Sequence, residues 1–294
     1  VFHVKHQIRR LVEGEKAALD AFLAAHTDSS MFLRSNLRRV GLADRGAPYQ
    51  ATYCAAFDRD SIIGVVGHCW NGMLLVQAPG PIESLAPAVV AASGRRVLGL
   101  SGPAEQVARA RRALGLEAAA TLEDSVEDLF SLNLEAMRIP AGLTERRVTV
   151  RHPNAGEIDL MADWSASFHC EALGFADGPE LRRNCADLVR RLREERAQFV
   201  LDLGGVPVSY AAFNAALPDT VQLGGVWTPP ELRGHGYARS VVAGALLAVR
   251  AAGVKRAVLF TSQDNRAAQS AYGSLGFARV GDYGLVIFAG FGRL

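Results

Sequence analysis

Hydrophobic and polar positions follow one order of periods along this chain, and they follow it twice. After a short strand-like start, residues 15–26 and 28–40 carry apolar side chains at helical spacing, and the second stretch opens on the capping cluster Asp28-Ser29-Ser30. Residues 49–57, 62–69 and 73–77 read as strands of a meander, because Asp58-Arg59-Asp60 and Asn71-Gly72 supply turn chemistry between them. A helix at 82–92, a buried strand at 97–100 and a helix at 105–114 follow. The order then starts again. Residues 148–151 predict a strand, 158–173 and 179–196 two helices, and 199–203, 206–214 and 221–227 three strands. A long helix at 236–252 ends at Gly253, and a strand at 256–261, a helix at 266–275 and a closing strand region at 278–288 complete the chain.

An internal repeat explains this parallel. Ser101-Gly102-Pro103-Ala104-Glu105 leads through a helix to Leu114-Gly115-Leu116, and Ser262-Gln263-Asp264-Asn265-Arg266 leads likewise to Leu275-Gly276-Phe277. Ser262 lies 161 residues after Ser101, and Leu275 lies 161 residues after Leu114. Two tandem copies of one α/β fold are therefore expected, at residues 1–140 and 147–294. Pro, Gly and charged residues cluster between Pro140 and Arg147, as a boundary requires.

Composition narrows the function without naming it. Apolar residues make up 49% of the 294 and charged residues 21%, which is the balance of a packed globular chain. The net charge of +2 and the scattering of basic residues argue against a nucleic-acid partner. No apolar run approaches the ~18 residues of a membrane span, and the N-terminus has no signal-peptide pattern. Cys54, Cys69, Cys170 and Cys185 form no CxxC pair and have no histidine at metal spacing, so free thiols in a reducing cytoplasm are expected and no metal.

The strongest chemical signal is the run from Val226 to Ala238, Val-Trp-Thr-Pro-Pro-Glu-Leu-Arg-Gly-His-Gly-Tyr-Ala. A strand ends, a Pro-Pro turn follows, and a glycine-rich loop opens the long helix. The first N–H groups of a helix lack intrahelical partners and sit at the positive end of its dipole, so this junction favours an anion. Gly234 and Gly236 let the backbone approach phosphate oxygens, and Arg233 can add a charge-assisted hydrogen bond. The spacing fails the dinucleotide GxGxxG pattern at Arg239, and a P-loop's Gly-Lys-Ser/Thr ending is absent.

Arg233, Gly236 and Ala238, in the pattern Arg-x-x-Gly-x-Ala after a strand and opening a helix, resemble motif A of the GNAT acetyltransferase superfamily. Asn265, Ala268, Tyr272 and Leu275-Gly276-Phe277 resemble its motif B, and Thr228 to Gly234 is similar to the branch that includes glycine N-acyltransferase-like proteins. The resemblance covers residues 148–288. It implies two GNAT-like α/β domains, each a mostly antiparallel mixed sheet flanked by helices, with acetyl-CoA held by the second. By that resemblance, Val226, Trp227 and Thr228 offer backbone groups to the pantetheine arm, and Gly224-Gly225 suits a bulge in their strand. Arg233, Gly234, His235, Gly236, Tyr237 and Ala238 hold the pyrophosphate. Asn265 bonds the amide-bearing arm of the cofactor, and Tyr272 sits near the thioester sulfur as the acid that protonates the leaving thiolate.

The implied reaction is direct attack by a primary amine of a small molecule or peptide on acetyl-CoA. No Ser/Cys-His constellation suggests a covalent intermediate. The base is not assignable, since residues 220–227 contain no carboxylate. Glu231, His169, Glu171 and a water relay all stay open. Trp164, Phe168 and Phe175 either line an acceptor pocket or form core, and His68 and Cys54 read as core. The first copy lacks Arg-x-x-Gly-x-Ala after residue 77, and the repeat offset puts Ala104 and Arg111 where the second copy has Asn265 and Tyr272. It is therefore expected to bind no CoA and to shape the acceptor cleft. Two alternatives remain: another donor, such as a longer acyl-CoA or an aminoacyl-tRNA, and a CoA-binding sensor without turnover.

Overall fold

The computed structural model of the chain describes residues 6–290. Its first half runs β1 (Gln7–Arg10), α1 (Lys16–Ala24), α2 (Met31–Val40), β2 (Ala51–Asp58), β3 (Ser61–Cys69), β4 (Met73–Gln77), α3 (Ile82–Ser93), β5 (Gly99–Pro103), α4 (Ala104–Ala113) and β6 (Thr121–Asn133). A short α5 (Ala141–Thr144) leads into the repeat: β7 (Thr149–Arg151), α6 (Ile158–Leu173), α7 (Pro179–Glu194), β8 (Gln198–Leu203), β9 (Val206–Ala216), β10 (Thr220–Trp227), α8 (Tyr237–Ala251), β11 (Arg256–Ser262), α9 (Arg266–Leu275) and β12 (Ala278–Phe288). The order expected from periodicity is present in both halves. The strand missing from the expectation is β6, whose first half, Thr121 to Asp128, is mostly acidic and polar and carries no buried alternation to read.

Two compact units form, and they are not contiguous halves. Residues 6–128 and 281–290 make the first, and Leu129–Val280 the second. In the first, strands lie in the order β1-β2-β3-β4-β5-β12, with β4 and β5 parallel. The last strand of the chain thus pairs antiparallel with β5, Tyr283 opposite Pro103 and Ile287 opposite Gly99. In the second, the order is β6-β11-β10-β9-β8-β7, with β10 and β11 parallel.

Each sheet is covered on both faces because adjacent residues of a strand point to opposite sides. In the first unit Val66, Leu74 and Val76 pack with Ile82 and Leu85 of α3, while Val65 and Leu75 pack with Leu19 of α1 and Leu33 of α2. In the second, Phe199 and Ala211 pack with Val241 and Leu246 of α8, while Val200 and Tyr210 pack with Met161 of α6 and Val189 of α7.

The repeat also holds at a level that a single offset does not reveal. Arg9 Nη1 donates to Glu15 Oε2 at 2.8 Å, and Arg151 Nη1 donates to Glu157 Oε2 at 2.8 Å. Glu15 also takes the Val12 N–H at 2.9 Å, as Glu157 takes the Asn154 N–H at 2.8 Å. Each carboxylate thus ties the first strand of its unit to the turn that starts the first helix. These pairs lie 142 residues apart, so no one offset aligns both ends of the two units.

One buried group in the first unit makes stability depend on pH. His68 is fully buried, its Nδ1 lies 2.7 Å from Ser93 Oγ, and its Nε2 has no partner. Beside it, Arg95 donates to the His68 carbonyl at 3.1 Å and grips Asp44 through both terminal nitrogens. Burial pushes the His68 pKa down to about 4. A depressed folded pKa means that stability is intact above the ordinary histidine value and is lost as pH falls toward the folded one. Lowering the pH from 7 to 4 is expected to cost the first unit up to roughly 3 kcal/mol through this residue. Urea unfolding across that range should show a steep acid limb in the wild type and a shallower one in His68→Leu. Equal slopes would rule out His68 as the cause.

Candidate active site

In the second unit, β10 and β11 begin together and then part. They pair in parallel only from Thr220 opposite Arg256 to Gln222 opposite Val258. On its other edge β10 is irregular against β9: Gly224 faces Ala212, but the next registered pair is Trp227 with Tyr210. Residues 225 and 226 therefore bulge, and Gly225 takes a φ of +65°, which only glycine adopts without strain. Leu223 to Trp227 is left without a β11 partner, so its backbone borders an opening between the strands.

At the far end of that opening stands the loop before α8. Gly234 has a φ of +83° and Gly236, the N-cap of α8, a φ of +74°. These left-handed turns aim successive N–H groups outward, and those of Gly234 through Arg239 donate to no described residue. Nothing lies within 4 Å of the position of a Cβ on Gly234. Backbone dipoles and a helix N-terminus arranged in this way form a cradle of the kind that can receive an anion. His235 and Tyr237 stack beside it with ring centroids 5.3 Å apart. A groove of about 330 Å³ adjoins it, lined among others by Pro140, Arg147, Leu203, Tyr237 and Arg239.

The loop's two arginines divide their work differently from the sequence expectation. Arg233 turns away from the cradle: Nη2 donates to Glu171 Oε2 on α6 at 2.9 Å, Nε donates to the Thr228 carbonyl at 3.1 Å, and the guanidinium lies 4.8 Å from the Trp227 ring centroid. Arg239 makes no ion pair among the described residues, and its Nε lies 2.8 Å from where a Cβ on Gly236 would be. The free positive charge over the cradle is thus on Arg239, which sequence reasoning used only to reject another motif. The signal was available, since a side chain three residues into a helix folds back over its N-cap.

The other expected site residues take these places. Val226 is in the unpaired stretch of β10. The carbonyls of Trp227 and Thr228 are occupied, the first by Ser209 Oγ at 2.8 Å and the second by Arg233. Asn265 caps α9, its Oδ1 accepting the Ala268 N–H at 3.0 Å, which leaves its amide nitrogen exposed. Tyr272 is 8% exposed and packs edge-on against Phe277 at 5.9 Å. Its hydroxyl bonds to no described residue, and burial pushes its pKa up to about 12.

The open assignments on α6 resolve into different roles. His169 is core: its Nδ1 donates to the Ser165 carbonyl at 2.7 Å, Phe168 and Phe175 flank it edge-on, and burial lowers its pKa. Trp164 stacks on Tyr210 at 6.3 Å and Phe168 joins the same apolar cluster. Glu171 is exposed and held by Arg233.

The first unit lacks both halves of this arrangement. Its loop from Ala78 to Ile82 holds two prolines, which have no N–H, and two of its three remaining donors are used: Ala78 N–H by Gln106 Oε1 at 2.6 Å and Ile82 N–H by the Gly80 carbonyl at 2.9 Å. Its parallel strands also remain close one residue past their last registered pair, since a Cβ on Gly102 of β5 would clash with the Val76 carbonyl oxygen of β4. Where the second unit has Tyr272, Arg111 pairs with Asp124 at 2.6 Å.

Residues 158–277 match the sequence profile of the acetyltransferase (GNAT) family. No curated protein matches the chain. Among solved structures, it resembles a Drosophila protein (TM-score 0.64, 11% identity, 95% of this chain and 98% of that one). It also resembles a GCN5-related N-acetyltransferase from Sphaerobacter thermophilus (TM-score 0.58, 13% identity, 97% and 96%). A tandem GNAT protein from the clavulanic acid biosynthesis pathway is similar over both full chains (TM-score 0.54, 15% identity, 99% and 100%). At these identities the likeness is one of fold. Among the described residues no helix is long and apolar enough to cross a membrane, and no group of three or more His, Cys, Asp or Glu is placed to hold a metal.

Proposed function

We propose that the second unit transfers an acetyl group from acetyl-CoA to a primary amine by direct attack. The observation that carries this reading is the row of unbonded N–H groups from Gly234 through Arg239, which follows in the chain directly after the stretch of β10 that has left β11. The pyrophosphate of CoA fits the cradle, where Arg239 adds charge, and the pantetheine arm fits along Val226 to Thr228. Asn265 has an amide nitrogen left for the cofactor arm. In this reading the backbone of the bulge receives the developing oxyanion and Tyr272 protonates the thiolate. A primary amine is the acceptor class, and the resemblance of residues 228–234 to glycine N-acyltransferase-like proteins supports a small one. Four free cysteines, of which Cys54, Cys69 and Cys185 are buried, suit a reducing cytoplasm. The first unit, with its proline loop and closed strands, is read as a copy that binds no CoA.

The test is thiol release from acetyl-CoA with a panel of amines. Wild-type protein should release CoA thiol only when an acceptor is present. Arg239→Ala should raise the Michaelis constant for acetyl-CoA about 10-fold, the loss of one charge-assisted phosphate contact, with turnover nearly unchanged. A wild-type Michaelis constant in that variant would remove Arg239 from the donor site. A second reading, a CoA-binding sensor without turnover, draws on the absence of a carboxylate from β10. Tight CoA binding with no thiol release for any amine would favour it.

A further inference from the structure

Where β10 leaves β11, two carboxamides meet. Gln222 is the last residue of β10 in register with β11. Across the sheet β9 holds an extra residue at the same level, since Gln222 faces Ala215 while Leu223 faces Phe213, and Asn214 falls between them. The two side chains join, Gln222 Nε2 donating to Asn214 Oδ1 at 3.0 Å. Asn214 is exposed, whereas Gln222 is 3% exposed. Gly224 is what admits the Asn214 amide over the strand: a Cβ there would meet Asn214 Nδ2 and Cγ well inside contact distance. The pair therefore leans across β10 at Gly224, the second residue of its unpaired stretch.

Each amide keeps one group in reserve. Gln222 Oε1 accepts no hydrogen bond from a described residue, and it is not sealed from solvent. Asn214 Nδ2 likewise has no acceptor among the described residues. An acceptor and a donor thus stand side by side where the thioester carbon would lie if the acyl-transfer reading is right, on which this inference rests. Neither amide takes up a proton in the ordinary pH range, because a carboxamide oxygen is a hydrogen-bond acceptor but not a base of useful strength.

We propose that the Asn214–Gln222 pair receives the acceptor, and that it selects an uncharged amine carrying a hydroxyl or carbonyl oxygen close to the nitrogen. Gln222 Oε1 accepts one N–H of the amine and so directs the nitrogen lone pair into the opening. Asn214 Nδ2 donates to the neighbouring oxygen. In the step that follows, the lone pair forms the C–N bond, the C–S bond breaks, and the sulfur leaves with the bonding pair and is protonated. The amide nitrogen loses its extra proton to water. The pair acts as positioning residues, and the reaction rate follows the fraction of acceptor already present as free base.

The experiment compares 2-aminoethanol and glycinamide with ethylamine at equal free-amine concentration, with acetyl-CoA as donor and thiol release as the readout. The oxygen-bearing amines should react at least about 10-fold better in kcat/KM. Asn214→Ala should erase that preference while leaving the acetyl-CoA Michaelis constant within about 2-fold. Gln222→Leu should raise the amine Michaelis constant about 10-fold, with the same donor control. Gln222→Glu supplies a base, and should carry the acid limb of the pH–rate profile to lower pH. A retained oxygen preference in Asn214→Ala, or an unmoved pH profile in Gln222→Glu with CoA binding intact, would overturn the proposal. Wild-type protein that binds CoA but releases no thiol with any amine overturns the acyl-transfer reading itself, and this inference with it.

Discussion

Gly236→Val is expected to raise the dissociation constant for CoA at least about 100-fold, on the order of 2.7 kcal/mol. Gly236 holds a φ of +74° as the N-cap of α8. A residue with a Cβ pays about 1–2 kcal/mol in that region, and a β-branched one more. Its Cβ would also sit 2.8 Å from Arg239 Nε, and Arg239 would have to leave the cradle. Relief comes by rotating the local backbone, and that turns the N–H groups of Gly236 and Tyr237 away from the anion. Gly253→Val is the control. Gly253 also has a positive φ, +99°, but it lies past the other end of α8 with open space at the Cβ position. Both variants should lose stability in urea unfolding, and only Gly236→Val should lose CoA in calorimetry. Equal losses of CoA affinity would show that the effect is one of stability and not of the cradle.

Tyr272→Phe is expected to lower kcat about 100-fold, the usual worth of a placed general acid. Its stability should stay within about 0.5 kcal/mol of wild type, because the hydroxyl bonds to no described residue and the ring keeps its packing against Phe277. Burial pushes the Tyr272 pKa up to about 12, so the phenol is protonated from about pH 6 to pH 10. The loss should therefore be uniform across that range, with no new alkaline limb, and the Michaelis constant for acetyl-CoA should not change. A kcat equal to wild type at every pH would return Tyr272 to a packing role.

Much of the fold was legible because its signals are local. The alternation at Val65/Val66 and at Phe199/Val200, and the helical spacing in α6 to α8, state which face of each element is apolar. The glycine loop was legible for the same reason, since left-handed turns and uncapped N–H groups are properties of a few adjacent residues. β6 escaped because its first half, Thr121 to Asp128, turns Leu122 and Val126 to solvent and buries Glu127, so no apolar period marks the side that faces inward. The partner of β12 escaped because Tyr283 and Pro103 are 180 positions apart, and no local period encodes which edge a final strand will choose.

The candidate site divides along the same line. By itself, the sequence determined the order of elements, its repetition and the glycine-rich loop at Gly234 to Ala238. It also indicated which copy kept that loop, since prolines at 79 and 81 remove N–H donors wherever they fold. Only the tertiary structure decided which side chains complete it. Arg233 faces Glu171, 62 residues earlier, and so is turned from the cradle that its position in the motif suggested. Arg239 is left with the free charge, and Gln222 meets Asn214 because a bulge in the neighbouring strand puts them level. Backbone conformation is settled by a residue and its immediate neighbours. The direction and partners of a long polar side chain are settled by whatever charge and space the packed chain brings near it.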